Sequence, residues 1–344
     1  MVMPPKKFII IFALVALFVL IALAASFWCG WVIRDRFFPK PPYTPTILRL
    51  SNYTFTKPLL ICDTKPERAL PELKSLESNL NRFIKVQEAA KNIDTVSVYF
   101  QDFTTDGRID INKDETFDPA SLTKIPIMIA ILKLSETNPD FLSKQIKYVG
   151  KDDFNIGQEI QPKEAAKPNE YYSVESLVEK MIQYSDNNSF HVLENLVGDS
   201  ELKSFFSDIQ VTFPINSTNP EELNSMTTSD VSYFFRILYN STYLRDDLSD
   251  LALKILSQTD YKNGIVAGVP NNTTVSHKFG LQTFTDFSGK VQSRELNDCG
   301  IVYHPTHPYM LCIMTKTSSS IQNTESVIKN ISSMVYATVD SYSK

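Results

Sequence analysis

The pattern of hydrophobic and polar positions separates an apolar run near the N-terminus from a longer region of mixed character. Residues 8–23 are almost purely apolar and follow Lys6 and Lys7; the run then continues to residue 33 and stops at the charged residues 34–36. A run of this length can cross a bilayer as a helix. It predicts a membrane anchor over residues 1–34 or, alternatively, a signal peptide cleaved at the Ala-Leu-Ala sequence of residues 22–24.

The rest of the chain alternates between the periodicity of helices and that of strands. Helical spacing over residues 67–91 is followed by strand-like alternation over 95–100 and 108–112, which an Asp-Gly turn at 106–107 joins. The further predictions are helices over 125–134, 173–184, 189–196, 200–209 and 227–238, strands over 274–280, 296–303 and 309–315, and a closing helix over 321–339. Strands that bracket a block of helices predict an α+β fold with one antiparallel sheet flanked by helices and an all-helical lobe.

Proline-rich sequence marks the boundary between the N-terminal run and this region. Pro39, Pro41, Pro42 and Pro45 lie close together and predict a semi-extended stalk over residues 35–66. The folded domain is therefore predicted over residues 67–344. Within it, the polar segment 139–172 is expected to form loops and short strands.

Composition excludes several classes of function. The net charge of −5 provides no basic surface for nucleic acid, and the 10 glycines form no phosphate-binding motif. None of the four cysteines belongs to a CxxC pair, so a zinc site is not predicted. Cys299 and Cys312 flank a predicted hairpin, where they form either a disulfide or two buried thiols. His304 and His307 lie in a proline-rich turn, and neither a metal nor a cofactor is predicted.

A serine and a lysine stand three residues apart where an apolar helix is predicted to begin. Ser121 follows the helix-start signal Pro119, and Lys124 precedes the apolar run 125–134. Positions i and i+3 share one side of a helix, so the Lys124 amine can reach the Ser121 hydroxyl. A desolvated, neutral lysine can accept the proton of that hydroxyl and activate it as a nucleophile. A lone Ser-x-x-Lys occurs often by chance, so other motifs decide its meaning.

Two further segments complete an ordered set of motifs. Ser-Asp-Asn at 185–187 ends a predicted helix, and Lys-Phe-Gly at 278–280 lies on a predicted strand. Together with Ser121 and Lys124, they resemble the SxxK, SDN and KTG motifs of class A serine β-lactamases and penicillin-binding proteins. The resemblance runs from about residue 70 to the C-terminus. It implies a β-lactamase/transpeptidase-like fold.

The resemblance also implies catalytic roles. Ser121 would attack the carbonyl carbon of an amide or β-lactam to form an acyl-enzyme, and Lys124 would accept the proton. Ser185 would relay a proton to the leaving nitrogen. Lys278 would add positive charge beside Ser185.

Substrate-binding roles follow from the same resemblance. Asn187 would bind the acyl amide of the substrate, and the backbone N–H groups of Ser121 and Leu281 would form the oxyanion hole. Phe279, next to Gly280, departs from the pattern, because the family usually has Thr or Ser there to help bind a substrate carboxylate. A Phe at this position favours an apolar or uncharged substrate.

A second departure concerns hydrolysis of the acyl-enzyme. β-lactamases of this class use a Glu in a Glu-x-x-x-Asn pattern after SDN, whereas the residue four before Asn224 is Pro220. Glu221, shifted by one residue, is the candidate deacylation carboxylate. Without such a carboxylate the acyl-enzyme would turn over slowly, as in a penicillin-binding protein.

These observations predict a membrane-anchored, extracytoplasmic serine hydrolase of the bacterial cell envelope that acts on β-lactams or peptidoglycan peptides. Its expected partners are such a substrate and the membrane, and not nucleic acid. Signal cleavage would instead give a secreted protein. Two other functions stay open: a catalytically degraded cell-wall binding protein on the same fold, and an esterase acting on neutral substrates.

Overall fold

A computed structural model describes residues 5–37, 46–50, 52–63, 71–211 and 225–342. The chain forms two compact units, Met1–Pro45 and Thr46–Lys344. The first contains helix α1 (Pro5–Phe37), in which Ile10–Cys29 is long and apolar enough to cross a membrane. The predicted apolar helix is therefore present, and its length and composition fit both an anchor and a signal peptide.

The second unit combines strands and helices in the predicted α+β arrangement. Its described strands are β1 (Thr46–Arg49), β2 (Leu59–Asp63), β3 (Thr95–Asp102), β4 (Arg108–Ile111), β5 (Gln145–Lys147), β6 (Tyr171–Ser173), β7 (Val275–Thr285), β8 (Val291–Val302) and β9 (Tyr309–Thr317). Its described helices are α2 (Pro71–Ala89), α3 (Lys124–Ser135), α4 (Val174–Gln183), α5 (Asn187–Val197), α6 (Asp199–Asp208), α7 (Thr228–Tyr239), α8 (Asp246–Ser257) and α9 (Ile321–Tyr342). Five strands form one antiparallel sheet in the order β4-β3-β9-β8-β7.

Both faces of this sheet are buried, because alternate residues of its central strands enter two different cores. On β9, Leu311 and Ile313 pack with α2 and α9, whereas Met310 and Met314 pack with the helical lobe. This alternation is the two-residue period of a strand. Burial of a large apolar side chain contributes about 1.5–3 kcal/mol, so the two cores hold the sheet firmly between the helices.

Helix α3 forms the centre of the helical lobe. Ten of its residues are buried, among them every residue from Lys124 to Leu132. A helix that is apolar on all sides is typical of a buried core helix. Its N-terminus is therefore held by packing in all directions, and this rigidity extends to the residues that precede it.

Three features differ from the sequence predictions in their detail. Within the segment predicted as a stalk, β1 and β2 pair, and Arg49 donates hydrogen bonds to Phe103 O and to Asn240 Oδ1 (2.6 Å). This part of the chain therefore packs on the folded unit. Helix α8 was not predicted, and β7 and β8 extend beyond their predicted ends as a long hairpin.

Cys299 and Cys312, directly paired on β8 and β9, form a disulfide, which resolves the two alternatives left by the sequence.

Candidate active site

The nucleophile candidate lies in a short turn that leads into α3. Residues Ala120–Thr123 form one 3₁₀ turn, and Ala120 adopts a left-handed conformation with φ 47°. The preceding backbone is fixed to β8, because Asn297 Nδ2 donates to Asp118 O at 2.8 Å and Glu295 accepts from Asp118 N. Ser121 is thus presented by a turn that is held from the sheet on one side and by a buried helix on the other.

Lys124 reaches Ser121 as the i, i+3 spacing predicts. Its Nζ lies 3.0 Å from Ser121 Oγ, and its side chain is only 2% exposed. Burial lowers the pKa of the Lys124 amine to about 7, and the negative charge of Asp186 opposes this shift. An amine with this pKa is neutral in about half of the molecules at pH 7, and the neutral form can accept a proton.

The Ser-Asp-Asn turn surrounds the same amine. Lys124 Nζ lies 2.8 Å from Ser185 O, 3.2 Å from Ser185 Oγ and 2.6 Å from Asn187 Oδ1. Ser185 has φ 60°, and Asp186 caps α5 by accepting from the N–H groups of Asn188 and Ser189. Asp and Ser are favoured where a helix must begin directly after such a turn, which explains why this sequence folds as it does.

Strand β7 supplies the third motif. Lys278 is fully buried; burial is the larger cause that holds the pKa of its amine well below the usual value, and the neighbouring Lys124 adds to it. Its Nζ donates to Phe279 O at 3.0 Å. The Phe279 ring stacks on Tyr261, with 4.3 Å between ring centroids. His277, one residue before Lys278, bonds to buried Asp298 through Nδ1 at 2.8 Å.

Gly280 allows β7 to lie against the nucleophile turn. A Cβ atom at this position would lie 2.5 Å from Pro119 O and 3.1 Å from Ser121 N, which is closer than packing tolerates. Because β7 is the edge strand of the sheet, every second backbone N–H along it points away from the sheet. The expected oxyanion donors, the N–H groups of Ser121 and Leu281, belong to these two adjoining segments.

These residues surround a cavity of about 470 Å³. Six of the residues singled out from the sequence line it: Ser121, Lys124, Ser185, Asn187, Phe279 and Leu281. Lys278 and Gly280 are in the same strand as the last two but are not part of the lining. Glu221 lies outside the described residues, so its position relative to the cavity stays a prediction.

The loop between β5 and β6 contributes residues that sequence reasoning missed. Asn155 is 3% exposed; its Nδ2 donates to Asp186 Oδ1 at 2.7 Å, and its Oδ1 accepts from Asn187 N at 2.8 Å. The Phe154 carbonyl accepts from Asn187 Nδ2. No periodicity marks these residues in the sequence, so this segment offered no signal of its contact with the site.

Helix α5 adds a second group that the sequence contained but that was not recognised. Phe190, His191 and Glu194 line the cavity together with Asn187. Their spacing of three, four and seven residues from Asn187 places them on one face of the helix. The helical period of 189–196, extended back to residue 187, is the signal that identifies this face.

Comparison with known proteins agrees with this arrangement. A model of the beta-lactamase enzyme family matches residues 75–339. A beta-lactamase from Proteus vulgaris is 27% identical over 208 residues, which cover 58% of this chain and 73% of that protein. Beta-lactamase OXY-1 from Klebsiella oxytoca is 25% identical over 207 residues, covering 58% of this chain and 68% of that protein.

A solved structure is similar over most of the chain. It is a mutant of PBP-A in an acyl-enzyme complex with penicillin G, with a TM-score of 0.64, 22% identity and coverage of 81% of this chain and 100% of PBP-A. This similarity shows that the fold is β-lactamase/transpeptidase-like, as the resemblance implied. Because the family model spans most of the sequence, the chain belongs to the beta-lactamase enzyme family, a family of serine hydrolases.

Proposed function

We propose that the protein is a membrane-anchored serine hydrolase that forms an acyl-enzyme at Ser121 and acts on β-lactams or peptidoglycan peptides outside the cytoplasm. The observation that carries this proposal is the buried Lys124 amine, 3.0 Å from Ser121 Oγ and with a pKa of about 7. A base with this pKa, already in hydrogen-bond contact with a hydroxyl, is suited to general-base activation of that hydroxyl.

Acylation follows from this geometry. Ser121 Oγ attacks the carbonyl carbon while its proton passes to Lys124 Nζ. The negative charge that develops on the carbonyl oxygen is stabilised by the N–H groups of Ser121 and Leu281; one such donor is worth about 3–4 kcal/mol. The C–N bond then breaks, and the proton returns from Lys124 through Ser185 Oγ, 3.2 Å from Nζ, to the leaving nitrogen. An ester on Ser121 remains.

The other site residues support the same reaction. Asn187 Oδ1 accepts a hydrogen bond from Lys124 and so orients the amine, while its position in the cavity lining suits contact with the acyl amide of a substrate. Burial and the neighbouring charge of Lys124 both lower the pKa of Lys278, because two ammonium groups buried close together repel each other, so the site disfavours charge on both amines at once. Water then hydrolyses the ester, with Glu221 as the candidate base.

Two further observations bear on substrate and location. The PBP-A mutant forms an acyl-enzyme with penicillin G, which supports a β-lactam as acyl donor for this chain. The apolar segment Ile10–Cys29 supports attachment to a membrane, and peptidoglycan and β-lactams are met on its outer side. Phe279, which lacks a hydroxyl, favours the second candidate, an esterase for neutral substrates.

Intact-protein mass spectrometry tests the proposal. The protein is mixed with a panel of β-lactams and a neutral active ester, and Ser121→Ala is treated in parallel. We expect a covalent adduct that Ser121→Ala abolishes; a long-lived β-lactam adduct would indicate slow deacylation. An adduct from the ester alone would favour the esterase. No adduct from any probe, or one that persists in Ser121→Ala, would contradict acyl transfer at Ser121 and favour a binding protein.

A further inference from the structure

A hydrogen-bonded bridge spans one end of the cavity. Glu159, in the loop between β5 and β6, accepts from Thr283 Oγ1 at 2.9 Å and from Arg294 Nε at 3.1 and 3.0 Å. Thr283 and Arg294 are directly paired on β7 and β8. Asn155 binds the same loop to the Ser-Asp-Asn turn. The loop therefore connects the β7–β8 hairpin with the Ser-Asp-Asn turn, and both of these segments contribute residues to the cavity lining.

The bridge determines the charge that a substrate meets at this end. Arg294 is bound through Nε by Glu159 and through Nη1 by Ser319 O at 3.3 Å, and the pair is shielded, with side-chain exposures of 19% and 27%. Lys124 is the lysine in the cavity lining, and its amine is already contacted by Ser121, Ser185 and Asn187. No lysine or arginine among the described lining residues is therefore left to receive a substrate anion, and His191, on α5, is the remaining lining side chain that can carry a positive charge.

Negative and apolar groups dominate the rest of the lining. Glu194, on α5, belongs to it, and its carboxylate opposes the approach of a second anion, whereas Glu159 lines the cavity as the ion-pair partner of Arg294. The apolar members of the lining include Phe154, Ile156, Ile160 and Leu281. A neutral substituent loses little on entering such surroundings, whereas an unpaired carboxylate would lose its hydration without gaining a partner.

We propose that Glu159 is a specificity-determining residue: by occupying Arg294, it makes the hairpin end of the cavity select acyl donors whose distal group is neutral, and reject donors whose distal group is anionic. Thr283 lies three residues beyond Gly280, which abuts Ser121, so the selected group lies about 10 Å from the nucleophile. This inference rests on the proposed acyl-enzyme function.

Two thioesters test the inference; they differ only in the charge of the distal group, the group expected to lie about 10 Å from the nucleophile. Both are glycyl thioesters of the same aromatic thiol, N-acylated with glutarate in one case and with its monomethyl ester in the other. In each, Ser121 Oγ forms an ester as the C–S bond breaks, and the thiol leaves with the proton of the serine. The rate of thiol release with the full-length protein therefore compares a charged and a neutral distal group at equal intrinsic reactivity.

Charge-selective variants separate a role in specificity from a role in structure. We expect wild type to react about tenfold faster with the methyl ester. Glu159→Gln should lower this preference about tenfold, because it frees the Arg294 charge. Arg294→Met breaks the same bridge without leaving a cation and should keep the preference. Glu164→Gln makes the same charge change in an exposed pair with Lys180 and should leave the ratio unaltered.

The possible failures are distinguishable. Equal wild-type rates for the two thioesters, or equal effects of Glu159→Gln and Arg294→Met on the ratio, would overturn the inference while leaving acyl transfer intact. Thiol release that is absent for both donors, or that survives Ser121→Ala, would overturn the proposed function and this inference with it. Thermal melting of each variant confirms that the rates compare folded proteins.

Discussion

At the scale of single residues, the proposed chemistry depends on the charge of the Lys124 amine. Its lowered pKa of about 7 arises from burial, so the amine is neutral in most molecules above pH 7 and charged below. The same shift costs stability: the unfolded lysine keeps its proton to about pH 10, so the penalty is complete below pH 7 and declines as pH rises from 7 to about 10. The site thus holds a base at the expense of folding free energy.

The first prediction follows from this charge state. Only the neutral amine accepts the Ser121 proton, so the second-order rate of acylation should rise about tenfold per pH unit up to about pH 7 and level off above it. Mass-spectrometric adduct formation between pH 5 and 9 measures this profile. Lys124→Arg, which stays protonated, should acylate at least about 100-fold more slowly, whereas Lys133→Arg on the same helix should behave as wild type. A flat profile in wild type would contradict the assignment of the base.

A second prediction concerns Asn155. Replacement by Ala removes the acceptor of Asn187 N and one of the two donors to Asp186 Oδ1, which keeps its hydrogen bond from Asn188 N at 3.1 Å. We expect the free energy of unfolding to fall by about 1–3 kcal/mol, the cost of one unsatisfied group, and acylation to slow, because the turn that holds Lys124 loosens. Urea denaturation and adduct formation measure the two effects. Asn195→Ala, an exposed site on α5, is the control, and equal losses there would refute a specific role for Asn155.

At the scale of elements, the site is the junction of three segments that sequence places far apart. The nucleophile turn, the start of α5 and strand β7 each present a few residues to one cavity. Strand β7 lies directly against the nucleophile turn, and this close approach is possible because Gly280 has no side chain. The positions of the proposed oxyanion donors, the N–H groups of Ser121 and Leu281, therefore depend on this backbone contact.

Gly280→Ala tests this contact. The added Cβ meets the backbone atoms Pro119 O and Ser121 N, which cannot move without shifting the nucleophile, so we expect acylation to fall about 100-fold. Gly107→Ala is a matched control, since its Cβ meets the side chains of Leu73 and Thr105 and so tests a similar local crowding outside the nucleophile turn. Adduct formation and thermal melting are measured for both. Wild-type acylation by Gly280→Ala would show that the close approach has no catalytic consequence.

The elements also show what the sequence was able to predict. Apolar periodicity identified α2, α3, α4 and the β8–β9 hairpin, because burial on one face or all round leaves a regular pattern. The motifs located Ser121, Lys124 and Asn187, whose chemistry fixes their spacing. The loop over residues 148–170 was expected from its polar sequence, but the contribution of Asn155 and Glu159 to the site was missed, because these residues form hydrogen bonds to segments about 30 to 135 positions away, and such contacts leave no local pattern.

At the scale of the whole molecule, the chain forms two compact units, of which the first contains the apolar helix α1 and the second contains the candidate active site. The proposed nucleophile Ser121, the proposed base Lys124 and the bridge at Glu159 all belong to the unit Thr46–Lys344. The disulfide between Cys299 and Cys312 joins two central strands of the same unit, which suits an oxidising compartment. The unit Thr46–Lys344 therefore holds every described residue to which the proposed acylation assigns a role, and we expect α1 to determine where that chemistry takes place.

Removal of the N-terminal segment separates these two contributions. A truncated chain beginning at Thr46 should be soluble and acylate at the wild-type rate, whereas the full chain should remain in membranes after alkaline carbonate extraction, because the 20-residue segment Ile10–Cys29 matches the thickness of a bilayer. The intact mass of the membrane-bound protein distinguishes the two readings of α1. Retention of residues 1–24 identifies an anchor, while loss of these residues together with release from the membrane identifies a signal peptide. Slower acylation by the truncated chain would contradict the assignment of all catalytic groups to the second unit.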